Sequence, residues 1–166
     1  MVVVHGTQRF RARVPSAEAS ASAEPMTFLG CWYATLLRWR PQVALFVNES
    51  TLLPVMVPLA PARTLLGRFP TAVAEVLDAH HVPGELIDRE VNQLTGGLQM
   101  APTTNRSVVG VMNEFCHLAD VVRDDYVDDL LALSLRLATT PCGPLYQRHV
   151  SPDRELTALV AEHTGR

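Results

Sequence analysis

CWYATLLRWRPQVALFVNESTLLPVMVPL, residues 31–59, is the stretch whose reading decides the fold. Cys31–Arg40 alternates, with Trp32, Ala34 and Leu36 on one side and Tyr33, Thr35 and Leu37 on the other. Period two over that length marks a strand. Arg40-Pro41-Gln42 is a turn. Val43–Val47 is wholly apolar, as expected of a central strand buried on both faces. Asn48-Glu49-Ser50 turns the chain again, and Leu52–Leu59 makes a third strand. Pro54 and Pro58 donate no ladder hydrogen bonds, so this strand belongs at an edge. Turns this short make the three strands sequential neighbours in an antiparallel meander.

Upstream, Val2–Val14 reads as an opening strand, with alternation at Phe10, Ala12 and Val14. Residues 15–26 are small and polar, have nothing large to bury, and read as a mobile loop. Downstream, helices take over. Leu65, Phe69, Val73, Val76 and Leu77 recur at helical spacing, with Pro70 inside the pattern. Glu85–Leu94 is a shorter helix, and Leu98–Pro102 a further strand. Val108, Met112, Phe115, Ala119 and Val122 then form one apolar stripe over four turns. Gly110 costs that helix about 1 kcal/mol relative to Ala, and close approach to the sheet is the expected reason. Val127, Leu130, Leu131, Leu133 and Leu137 mark another helix. The last begins at Ser151-Pro152-Asp153, with a cap candidate, Pro at the first helical position and acids in the first turn.

The expected fold is therefore α+β: an antiparallel sheet of four or five strands, covered on one face by the 63–82 and 105–123 helices. Residues 1–125 form the α+β domain, and 126–166 a C-terminal helical extension. The apolar Leu130–Leu137 segment needs cover, and a homodimer is one way to supply it.

Composition bounds function. The 166 residues carry a net charge of −3, so no global field draws the chain to nucleic acid; a local basic patch remains open. All 14 basic residues are arginine, a bias that points to a GC-rich bacterial gene. Met1–Val4 is apolar but precedes the arginines, the reverse of a secretory signal. No stretch approaches the roughly 20 apolar residues of a membrane span. Three cysteines without paired spacing fit a reducing cytoplasm.

The stretch Asn105-Arg106-Ser107-Val108-Val109-Gly110-Val111-Met112-Asn113-Glu114 resembles the signature of a small bacterial family of unknown function. That family's pattern is close to Asn-Arg-Ser-Val-Leu-Gly-Ser-Met-Asn-Asp/Glu. Its upstream strands are matched here by Trp32–Leu36, Arg40 and Leu45-Phe46-Val47-Asn48. The family also resembles the leading domain of plasmid ORF-3-like, transposon-associated proteins. The resemblance covers residues 31–123, with Val111 in place of a more usual small polar residue. It implies a shared fold and brings no activity with it.

Asn105, Arg106, Asn113 and Glu114 are the first ligand-binding candidates. Arg106 lies at a helix start, and its planar fork suits a carboxylate or phosphate. The plainer reading has Asn105 capping the helix and Arg106 paired inside the fold. Arg9, Arg11 and Arg13 share one side of the opening strand, and Arg38 and Arg40 one side of the next. With Trp32, Trp39 or Tyr33 nearby, these five make a nucleic-acid candidate surface. Cys116-His117 are neighbours on a helix and point about 100° apart, which disfavours a nucleophile pair. The acids Asp120, Asp124, Asp125, Asp128 and Asp129 lack the calcium-loop pattern, and the His and Cys residues lack zinc spacing. No cofactor and no metal are expected. The sequence points first to a non-catalytic binding or interaction domain with an unidentified protein partner. The alternatives are a nucleic-acid binder or nuclease, and a small hydrolase or transferase using Arg106, Asn113 and Glu114.

Overall fold

A computed structural model describes residues 2–15, 27–126 and 128–165. The loop expected over 15–26 lies, from residue 16 on, outside the described residues. The chain is α+β, built on one five-stranded sheet. Its strands are β1 (Val2–Gly6), β2 (Trp32–Leu37), β3 (Val43–Asn48), β4 (Pro54–Pro58) and β5 (Leu98–Pro102), in the order β4-β3-β2-β1-β5. The helices are α1 (Gln8–Arg13), α2 (Leu65–Ala79), α3 (Gly84–Thr95), α4 (Arg106–Val122), α5 (Leu130–Leu137) and α6 (Pro152–His163).

The meander forms as its alternation requires. Tyr33 pairs with Val47 and Leu45 with Met56, both antiparallel. The outer edge is blunted as the prolines imply. In addition, Ser134 of α5 accepts a hydrogen bond from the Met56 amide at 3.1 Å, occupying an edge donor. At the other end of β3, the buried Asn48 donates to the Leu29 and Cys31 carbonyls at 2.9 and 3.2 Å. Its Oδ1 accepts from the Thr51 amide at 3.0 Å, so the tight β3–β4 turn is tied to the approach to β2.

Three expectations change. First, the opening strand stops at Gly6. Thr7 then accepts from the Phe10 amide at 3.4 Å and starts α1. A Cβ at Gly6 would stand 2.8 Å from the Phe10 ring, so glycine lets α1 fold back on β1. Second, the sheet is mixed rather than antiparallel. β1 inserts between β2 and β5 and runs parallel to both. The buried run Val2–Val4 suits a strand with parallel neighbours and both faces covered.

Third, the helices cover both faces. Trp32, Ala34 and Leu36 pack with Leu65, Phe69, Val73 and Leu77 of α2. Tyr33 and Leu37 pack in a second core with Val108, Met112, Phe115 and Ala119 of α4. Neighbouring strand residues point to opposite faces, so α2 and α4 are separated by the sheet. Leu133 and Leu137 are buried in the second core, within the same chain.

Candidate functional site

Helix α4 carries the sequence candidates, and its two ends are built differently. At its start, Asn105 is the N-cap. Its side chain accepts from the Ser107 and Val108 amides at 3.0 and 3.3 Å. Those bonds fill two of the orphan donors that would otherwise favour an anion. The Asn105 amide donates to the Tyr33 hydroxyl at 2.9 Å, and that hydroxyl pairs with Thr104 Oγ1 at 3.2 Å. Tyr33 also stacks on His5, with ring centroids 4.8 Å apart. The start of α4 is thus pinned to β2 through one tyrosine.

Arg106 takes no part in this. It is exposed, and no hydrogen bond or ion pair engages it among the described residues. Asn113 and Glu114 are also exposed, on the outward side of α4 with His117. At 1.5 Å per residue, Asn113 lies about 10 Å along the axis from Arg106, so the motif residues do not converge on one ligand atom. Gly110 faces the same way and nothing lies within 4 Å of a Cβ built there. Close packing on the sheet is therefore not what requires this glycine, and nothing in the structure explains it.

The far end of α4 is interlocked with the chain leaving β2. Trp39 is 7% exposed, and its Nε1 donates to Asp120 Oδ1 at 2.6 Å. The Arg123 guanidinium covers the Trp39 ring, 4.3 Å from its centroid. Two clefts open here. One, of about 400 Å³, is lined by Arg38, Trp39, Arg40, Pro41 and Gln42. The other, of about 500 Å³, has apolar walls from Pro41, Val43, Pro58 and Leu130, with Arg40 and Arg123 among its charged residues. Arg13 donates to Gln42 Oε1 at 2.8 Å, and Arg9 to the Leu36 carbonyl at 2.9 Å.

The five arginines read from sequence therefore meet in part, by another route than a shared strand face. Arg9, Arg11 and Arg13 are helical. Arg11 turns back to the Gly6 carbonyl at 3.1 Å and leaves the group. Arg9 and Arg13 reach across to the residues around the end of β2 that precede or follow Arg38 and Arg40. Sequence reading missed Arg123 and Tyr126, which join from beyond α4. Asp124 and Asp128 line the same cleft, so its charge is mixed.

The thiols are poorly suited to attack. Burial, then Asp120, pushes Cys116 up to about 11. Burial, then Glu114, does the same to Cys142, and burial, then Glu49, raises Cys31. A thiol held protonated is a weak nucleophile. Of the acidic cluster, Asp120 holds Trp39 and Asp129 caps α5, accepting from the Ala132 amide at 2.9 Å. Among the described residues no group of three His, Cys, Asp or Glu side chains could hold a metal ion, and no helix is long and apolar enough to cross a membrane.

These features define a small α+β domain with an arginine-lined edge. Over residues 3–155 the chain matches a family described as a domain of unknown function (DUF6933), and it belongs to that family. The match reaches beyond residues 31–123, taking in most of β1 and running into α6. No curated protein and no solved structure matches the chain.

Proposed function

We propose that the chain is a non-catalytic binding domain that docks an acidic protein segment on the Trp39 edge. The observation that carries this reading is the gathering of Arg13, Arg38, Arg40 and Arg123 around Trp39 and Gln42. Guanidiniums suit carboxylates, which they grip through paired hydrogen bonds. The apolar walls of the larger cleft add a place for an aliphatic or aromatic anchor beside those carboxylates. The high thiol pKa values and the scattered outward side chains of α4 favour binding over catalysis.

Nucleic acid is the second reading, favoured by the same arginines. Against it, Trp39 is buried with Arg123 over its ring, so it offers no free face for a base to stack on. Fluorescence anisotropy separates the two. A labelled glutamate-rich peptide with one Trp anchor should bind, and an Arg38→Ala/Arg40→Ala/Arg123→Ala variant should lose about tenfold or more in affinity. Single-strand DNA binding that falls steeply with salt would favour the second reading instead. Failure of both probes would remove the Trp39 edge as a docking site.

A further inference from the structure

The sheet face opposite α4 holds a second site, independent of the Trp39 edge. A cleft of about 460 Å³ lies between α3, the 27–30 turn and the end of α6. Its lining includes Thr27, Phe28, Arg89, Glu90, Gln93 and His163. Glu90 is 1% exposed, and neither of its carboxyl oxygens has a hydrogen-bond partner among the described residues. The Thr27 hydroxyl and the Leu29 and Phe28 amides are near enough to favour its ionised form, without closing a well-formed bond.

The other buried glutamate shows how this fold handles such a group. Glu155 is paired on both oxygens, by Arg148 and by His149 Nδ1. Buried carboxylates are ordinarily paired in this way. Among the described residues Glu90 has no such counterpart, and it lines a ligand-sized cleft.

We infer that this cleft binds a small organic cation through a primary ammonium group, with the Glu90 carboxylate as its counter-ion. The ammonium would supply the positive charge that faces Glu90 from no described residue. Phe28 and His163, with ring centroids 5.4 Å apart, give the cation's alkyl stem an aromatic wall. Arg89 is exposed on the same cleft, and no ion pair holds it among the described residues. It would meet a carboxylate carried beside the ligand's ammonium group. The same ammonium chemistry therefore suits a simple amine or an amino acid, and Arg89 tells them apart.

Burial is also the main reason the Glu90 carboxyl is pushed up to about 7. Its ionised form prevails above that value, while an alkylammonium stays charged throughout. Binding should be strongest above pH 7 and fade as pH falls through it. Among the described residues, Arg89 on α3 and His163 on α6 are the other charged or titratable groups lining the cleft; the 27–30 turn brings none.

The test is an amide NMR titration of the intact chain with pentylammonium and with L-norleucine, which is the same skeleton bearing a carboxylate. Saturable shifts in residues 27–30 and 89–93 are expected, about tenfold weaker in Glu90→Gln and weaker at about pH 6 than at about pH 8. Tighter binding of norleucine that Arg89→Ala removes would identify an amino acid as the source. Pentylammonium binding alone would identify a simple amine. Should Glu90→Gln not fold, the pH series on the wild type decides. Resonances unmoved by either probe, or binding indifferent to both Glu90→Gln and pH, would overturn the inference.

Discussion

The two ends of α4 make opposite use of polar side chains. At the first end, Asn105, Thr104 and the Tyr33 hydroxyl satisfy one another, and the one strong cation, Arg106, is left outside the arrangement. At the second, Asp120 and Arg123 grip a buried tryptophan, and Arg38 and Arg40, its neighbours in the chain, line the adjoining clefts. The first end carries the Asn105–Glu114 stretch that stood out in the sequence and reads as a structural clasp. The second carries no motif and gathers arginines around clefts, the edge proposed above for docking. A distinctive sequence pattern can therefore record how a helix is anchored, with the proposed docking edge at the helix's other end.

The comparison can be broken by substitution, and the largest effect is expected at the second end. Trp39→Ala should destabilise the fold by about 3–5 kcal/mol, since it empties a packed aromatic site and leaves Asp120 without its donor. A denaturant midpoint shift with unchanged slope is the readout. Tyr33→Phe should cost about 1–2 kcal/mol by removing the hydroxyl beneath the α4 start while keeping the ring on His5. Asn105→Ala should cost about 1 kcal/mol through the lost cap. In a double-mutant cycle these two should couple, because Asn105 donates to the Tyr33 hydroxyl through its amide and that geometry depends on the cap. Arg106→Ala should change stability by less than about 0.5 kcal/mol, as expected of an exposed side chain with no partner. A large loss from Arg106→Ala would contradict the division drawn between the two ends.

Much of the fold was legible. The alternation in Trp32–Leu37 and the apolar run Val43–Val47 specify β2 and β3, and the helical spacing from Val108 specifies α4. The same alternation already assigns Trp32 and Tyr33 to opposite faces, so two covering layers were implicit in it. Arg9, Arg11 and Arg13 hid α1, because every second residue is polar in a short helix as readily as in a strand. The Thr7 cap was the available signal. The parallel insertion of β1 between β2 and β5 was not legible, because it depends on pairings across 28 or more residues that no local pattern encodes.

The site was legible only in part. Arg38 and Arg40 flank Trp39 in the chain, so the arginine–aromatic pairing was visible there. Arg123 comes to the same ring from beyond α4 and has no local mark. Glu90 was signalled more clearly than it was read. It falls four residues after Leu86 and four before Leu94, on the buried side of α3, where a glutamate is out of place.

The most direct test of the docking edge is a charge reversal at each end of α4, measured as the affinity for the labelled glutamate-rich peptide. Arg123→Glu is expected to abolish binding, while Arg106→Glu leaves it within about twofold of wild type. Equal losses from the two reversals, or a loss confined to Arg106→Glu, would place the binding surface on the motif end of α4 and contradict the account.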